Sequence, residues 1–147
     1  MNCPNSSTLT DAFSEEDLVN SFIKFLESEN SPWGKIKFVR EFFYSRGRTD
    51  VVAITEDLKI VAFEAKLDKW KEAVHQAYRN TCFAHESYVV LPQRRVNSMR
   101  IYENEFDKRG VGLCSVDAFS IQVIKPARQV NPIQNWLTQK AIDTLKV

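Results

Sequence analysis

The sequence predicts an α/β domain, and three observations predict it. Gly47–Lys66, GRTDVVAITEDLKIVAFEAK, reads as a β-hairpin. Val, Ile and Phe recur in two runs, Asp50–Ile54 and Lys59–Ala65, on either side of a polar TED turn. An amphipathic helix over about 14–27 precedes this hairpin, and a second helix over about 68–84 follows it. The apolar run Ser87–Leu91 comes next, so a strand, a helix and a strand succeed one another and imply a crossover, normally right-handed.

Length and composition set the frame. With 147 residues one domain is expected, and a chain of this size can bury a real core. A hydrophobic fraction of 44% and a charged fraction of 27% are ordinary for a soluble globular protein. The net charge of +1 favours no class of partner, so any basic surface must be local. Cys3, Cys82 and Cys114 form no CxxC pair, which argues against zinc and suits reduced thiols in a cytoplasmic protein. The polar start has no signal-type apolar region, and no run approaches 18 apolar residues, so neither a secretory signal nor a membrane span is expected. Residues 1–13 read as a flexible leader and 14–147 as a single domain.

Each element has its local reason. Ser14 offers an N-cap, Asp17 stands in a capping-box place, and Leu18, Val19, Phe22, Ile23, Phe25 and Leu26 supply the apolar stripe. Ser28–Ser31 with Pro32 end that helix. Lys35–Ser45 alternates weakly and is aromatic-rich, which reads as a first strand. Its Glu41 either faces solvent or approaches Asp50 from a neighbouring strand. Arg46-Gly47-Arg48 is a tight basic link, either a phosphate contact or a solvated turn. After the hairpin, Trp70, Ala73, Val74, Ala77 and Thr81 recur at helical spacing, with Gln76 and Arg79 three apart on one side. Ser87–Leu91, closed by Pro92, reads as a buried strand. Gln93–Lys108 is helix-compatible, with Val96, Met99 and Phe106 as inward anchors and Arg94, Arg95 and Arg100 as the densest positive charge. Gly110 caps it, Val111–Val116 is a short strand, and Ser120–Ile124 suits an edge strand. Asn131-Pro132 predicts a helix start, with Ile133, Trp136, Leu137, Ile142 and Leu145 favouring a terminal helix that completes the core or forms a dimer face.

The hairpin also concentrates chemistry. Antiparallel pairing about Asp57 sets Asp50 opposite Glu64, and strand alternation keeps Lys66 on the face of Glu64. Two adjacent carboxylates repel, and one takes up a proton unless a cation sits between them. A hard divalent ion with oxygen ligands answers this, and Mg²⁺ is usual where substrate phosphate adds ligands. The opposing reading is a surface hairpin in which Glu64 and Lys66 merely pair, worth roughly 0–1 kcal/mol.

Asp50 and Glu64-Ala65-Lys66 resemble the signature of the PD-(D/E)XK nucleases, the restriction-endonuclease-like superfamily. In that pattern an Asp starts one strand of a hairpin and Glu-x-Lys ends the next. The superfamily core runs helix, three strands, helix, strand (αβββαβ), the order read here over residues 14–91. Thr49 departs from it, standing where the name-giving Pro usually sits. The resemblance implies a central mixed sheet flanked by helices. It also implies a metal-dependent endonuclease cutting DNA by water attack, with Mg²⁺ or Mn²⁺ held by Asp50, Glu64 and the Ala65 carbonyl. Lys66 would serve the nucleophile, and Gln76 would orient substrate or water. Glu15 or Glu16 of the first helix could add a carboxylate, though capping explains both without metal. Arg46, Arg48, Lys69, Arg79, Arg94 and Arg95 are candidates for backbone contact. Cutting both strands with one site per chain would call for a homodimer or larger assembly. The alternatives are a non-cleaving module of this fold that binds nucleic acid or protein, and a small structural or toxin-neutralising partner whose hairpin charges are incidental.

Overall fold

Residues 13–28 and 30–146 are described by a computed structural model. Six strands form one mixed sheet in chain order: β1 Lys37–Tyr44, β2 Gly47–Ile54, β3 Ile60–Ala65, β4 Glu86–Pro92, β5 Gly112–Val116 and β6 Ile121–Lys125. The β1–β2, β2–β3 and β5–β6 pairs are antiparallel, and β3–β4 and β4–β5 are parallel. Helices α1 (Glu15–Leu26), α2 (Trp70–Asn80), α3 (Gln93–Met99), α4 (Glu103–Arg109) and α5 (Asn135–Lys146) flank it.

Alternation along the central strands divides the core. Val51, Val61, Phe63, Val90 and Cys114 face α1 and meet Leu18, Phe22 and Leu26. Their neighbours point the other way. Val52, Ile60 and Ala62 pack with Phe83 and with Leu137, Ala141 and Leu145 of α5. Val89, Leu91 and Leu113 pack with Ala73, Val74 and Ala77 of α2 and with Met99 and Phe106. Each large side chain fully buried here contributes about 1.5–3 kcal/mol. The small alanines let α2 lie close over β3 and β4, which matters for the site. Among the described residues no helix is long and apolar enough to cross a membrane. Cys82 and Cys114 are buried free thiols.

The hairpin has the register set by a turn about Asp57: Val51 pairs with Phe63, Ala53 with Val61 and Ile54 with Ile60. Ser14 and Asp17 form the expected capping box, with Asp17 N–H donating to Ser14 Oγ at 3.1 Å and Ser14 N–H to Asp17 Oδ2 at 2.9 Å. The leader falls largely on residues 1–12, which lie outside the described residues, whereas Phe13 packs partly against the α1 core.

Three boundaries differ from the sequence reading. The helix expected over 68–84 stops at Asn80, because Cys82, Phe83 and Ala84 leave it to fill the α5-side core. His85 then locks the return: its N–H donates to the Ile60 carbonyl at 2.9 Å and its Nδ1 accepts from Ile60 N–H at 3.0 Å. Residues 93–109 form two helices with a 3₁₀ turn, Arg100–Tyr102, between them, where Tyr102 packs on Trp70 of α2. The terminal helix begins at Asn135, not at Pro132. Val130 N–H donates to the His85 carbonyl and Gln134 N–H to the Cys82 carbonyl, which holds 130–134 out of a helix. Ile133 and Trp136 are consequently exposed, and Leu137 and Leu145 are the anchors.

At the β1–β2 turn Gly47 has φ +145°, and a Cβ there would lie 2.5 Å from Arg79 Nη1. Gly47→Ala should therefore cost about 1–3 kcal/mol, read as a lowered melting temperature. Gly34→Ala is the control, since Gly34 also has a positive φ but nothing within 4 Å of an added Cβ.

Candidate active site

The two hairpin strands part company at the acids. The last β2–β3 pair is Val51–Phe63, and the next free N–H on β3, that of Ala65, donates to Asp50 Oδ2 at 2.9 Å. A side-chain carboxylate thus takes the place of a backbone acceptor, and the strands splay around it. The β1–β2 ladder has a gap at the same level. Arg40 pairs with Val51 and Phe42 with Thr49, while Glu41, opposite Asp50, has φ +58°. That left-handed residue slips the alternation, so Phe42 joins Val39 in the α5-side core and Thr49 turns to α2. Asp50 and Glu41 open into a cleft of about 560 Å³ whose walls include Glu15 and Glu16 of α1, Arg40, Arg48 and Ala65. Arg48 spans the two acids, with Nη1 3.2 Å from Glu41 Oε1 and Nη2 3.2 Å from Asp50 Oδ1.

Glu64 lies on the α2 side of β3 with its side chain 2% exposed. Its Oε2 accepts from Asn80 Nδ2 at 2.7 Å and from Arg79 Nη2 at 3.5 Å. Asn80 Oδ1 accepts in turn from Tyr44 Oη at 2.8 Å and from Thr49 Oγ1 at 2.9 Å. The carboxyls of Asp50 and Glu64 are close enough that each acts on the other's proton. Burial, followed by the charge of Asp50, pushes Glu64 up to about 8, against the opposing pull of Asn80 and Arg79. Two carboxyls, one sealed from water, therefore compete for one proton or one cation.

Lys66 lies one residue past the end of β3, where strand alternation no longer governs it. Its Nζ donates to Glu72 Oε1 at 2.9 Å and stands 3.9 Å from Glu15 Oε1. Burial pulls the amine down. The hydrogen bond it donates to Glu72 and the charges of Glu15, Glu72 and Asp50 outweigh that and leave it above its ordinary value. It is an ammonium in this arrangement, joined to Asp50 by charge and to α1 and α2 by ion pairs.

The remaining sequence-predicted residues are dispersed. Glu15 reaches the hairpin through Lys66, and Glu16 lines the cleft beside it. Gln76 is half-buried on α2, one turn before Asn80. Arg46 and Lys69 are exposed in the β1–β2 turn and at the start of α2. Arg94 is exposed on α3, and Arg95 pairs with Asp68 at 3.4 Å. Arg79 is turned inward: it donates to Tyr44 Oη at 2.9 Å, to the Arg48 carbonyl at 2.8 Å and to the Arg46 carbonyl at 3.4 Å, besides Glu64. It straps the β1–β2 turn to α2. Among the described residues no group of three or more His, Cys, Asp or Glu side chains is arranged to hold a metal.

Asn80, Tyr44 and Glu72 were not singled out by the sequence, and Thr49 only as a departure from the resembled pattern. One signal was readable: Asn80 continues the buried Ala73–Ala77 stripe of α2, and a polar residue on such a stripe needs a buried partner.

The chain matches no protein-family model and no curated protein. Among solved structures it is similar to a protein of unknown function from Silicibacter pomeroyi. The two are 15% identical with a TM-score of 0.61, over 86% of this chain and 82% of that one. It is also similar to Pyrococcus furiosus SfsA, whose structure is in complex with Ca²⁺. Here identity is 12% and the TM-score 0.50, over 77% of this chain and 64% of that one. At such identities the likeness is one of fold: a six-stranded mixed sheet flanked by helices.

Glu64 gives a pH test with a definite sign. Its folded pKa, about 8, exceeds the ordinary 4.5, so its contribution to stability is full below about 4.5 and is lost as pH rises through 8. The metal-free protein should lose up to about 1.4 kcal/mol per pH unit across that window, measured by urea unfolding in chelator. Glu64→Gln should flatten the profile and be the more stable protein at pH 9.

Proposed function

We propose that this protein is a metal-dependent phosphodiesterase of the PD-(D/E)XK type that hydrolyses DNA. The observation that carries this reading is the meeting of the Asp50 and Glu64 carboxyls where the hairpin splays, with the Lys66 ammonium near enough to feel the charge of Asp50. The fold shared with SfsA supports it at the level of fold, and the Ca²⁺ in that protein's structure is a hard, oxygen-seeking cation of the kind two carboxylates would take.

Asp50, Glu64 and the Ala65 carbonyl would hold Mg²⁺ or Mn²⁺, with Glu15 or Glu16 at the rim. The donor set fits such an ion, because one buried carboxyl lacks a full counter-charge and the open cleft leaves room for the waters a hard cation keeps. When bound, the ion would neutralise charge on the phosphoryl oxygens and provide a nucleophile at neutral pH. Lys66, held as an ammonium by Glu72 and Glu15, would stabilise developing negative charge and would not serve as a base in that state. Gln76 would orient substrate or water. Arg46, Lys69 and Arg94, all exposed, would contact the phosphate backbone, with Arg95 beside them. Arg79 would act on the turn that presents Arg46 and Arg48, since its donors are directed inward. Arg48 would have to give up Asp50 as a cation enters. A second copy of the chain would be needed to cut both strands at one place.

One observation favours the alternative, a non-cleaving module of this fold that binds nucleic acid or protein. Arg48 already supplies the Glu41–Asp50 pair with a cation. Incubation of plasmid, linear and single-stranded DNA with and without Mn²⁺ separates the two readings. Cleavage should require Mn²⁺ or Mg²⁺, and Asp50→Ala should abolish both cleavage and Mn²⁺ binding by calorimetry. Lys66→Ala should lower the cleavage rate by about 10²–10³-fold with an unchanged circular dichroism spectrum. Cleavage retained in Lys66→Ala would remove Lys66 from the mechanism, and absence of Mn²⁺ binding by the native protein would favour the binding module.

A further inference from the structure

Behind Glu64 three elements meet at Asn80. Tyr44 comes from the end of β1, Thr49 from β2 and Asn80 from the last residue of α2. Thr49 and Asn80 are each 0% exposed. We propose that Asn80 is a positioning residue that sets the direction of the Glu64 carboxyl, and that Tyr44 and Thr49 hold the Asn80 amide in the single orientation able to do so. The inference rests on the reading of Glu64 as a cation ligand.

A carboxamide presents an acceptor at one end and donors at the other, and half a turn about its axis exchanges them. The hydroxyls decide which end faces Glu64. Arg79 Nε donates to Tyr44 Oη at 2.9 Å, so the Tyr44 proton goes onward to Asn80 Oδ1 at 2.8 Å. Thr49 Oγ1 donates to the same Oδ1 at 2.9 Å. Both lone pairs of Oδ1 are then used, and Nδ2 is left to donate to Glu64 Oε2 at 2.7 Å. With the amide reversed, two buried hydroxyls would face an NH₂ and a carbonyl oxygen would face a carboxylate.

The consequence falls on which carboxyl oxygen is free. Asn80 and Arg79 both donate to Oε2. Oε1 is thereby the oxygen offered to a cation beside Asp50. Glu64 has three side-chain torsions, and this chain of bonds removes their freedom before any ligand arrives. Supports of this kind behind a metal ligand typically change metal affinity by about 10–100-fold when removed.

The test leaves Glu64 and Asn80 in place and removes the two hydroxyls with near-isosteric variants. Mn²⁺ affinity is measured by calorimetry on the native protein, on Tyr44→Phe/Thr49→Val and on Thr49→Ser, with melting temperature followed in each. The double variant should bind Mn²⁺ at least about 10-fold more weakly, and Thr49→Ser, which keeps the hydroxyl, should bind like the native protein. A purely structural role predicts a lower melting temperature with unchanged affinity, and that result overturns the proposal. If the double variant does not fold, Thr49→Val and Tyr44→Phe are measured singly, and native affinity in both overturns it equally. If the native protein binds no Mn²⁺, the functional reading fails and the positioning is judged by NMR at fixed pH. A displaced Glu64 carboxyl carbon resonance in the variants supports it, and an unmoved one ends it.

Discussion

The constraint on which this structure turns is the burial of one carboxyl against another. An ionised carboxylate taken out of water costs several kcal/mol even after the protein relaxes around it. Asn80 offsets part of this, since a hydrogen bond to a charged group is worth about 1.5–3 kcal/mol. Arg79 offsets less: its contact with Glu64 is 3.5 Å, and the same guanidinium serves Tyr44 and two backbone carbonyls. Arg48 attends Asp50 from the opposite side and makes its other contact to Glu41. The remainder is met by a proton on Glu64 up to a pH of about 8. The protein has thus assembled partial counter-charges around a place where a full one would fit.

The backbone pays for this arrangement in two places. At Asp50 the β2–β3 ladder gives up regular pairing, and a side-chain oxygen accepts the Ala65 N–H. At Glu41 a non-glycine residue stands in the left-handed region, a conformation costing of order 1–3 kcal/mol. It persists because the residues after it are well anchored. Phe42 and Tyr44 pack against Phe83, and Tyr44 also hydrogen-bonds Asn80 and Arg79. Strain at β1 and splaying at β2–β3 are two sides of one distortion, centred on the acids.

Much of this was legible because hairpin geometry is local. A turn about Asp57 dictates which residues face each other, and the pairing of Val51 with Phe63 and Ile54 with Ile60 follows from it. The meeting of Asp50 and Glu64 follows. Lys66 was less legible, since it lies beyond the last paired residue and its direction depends on Glu72, in the first turn of α2. Arg79 was opaque for the same reason: helical spacing relates it to Gln76, but nothing in that spacing reveals that the β1–β2 turn arrives beneath it. The ends of α2 and α5 were set by contacts between distant segments, His85 with Ile60 and Gln134 with Cys82, which periodicity within one helix cannot register. Thr49, which marks the departure from the family pattern, proves to have work of its own: its hydroxyl is buried on Asn80.

The cleft's charge bears on the order of events under the nuclease reading. Glu15, Glu16, Glu41 and Asp50 line it, against Arg40 and Arg48, so the lining carries two more carboxylates than guanidiniums. A phosphate backbone approaching that surface would be repelled, and the repulsion would be strongest where the scissile phosphate must lie. One divalent cation cancels the difference. It would also compete with Arg48 for Asp50, and a guanidinium released from an acid is free to meet a phosphate. Cation binding would then precede productive DNA binding, because the same ion that completes the site also removes the repulsion the substrate meets.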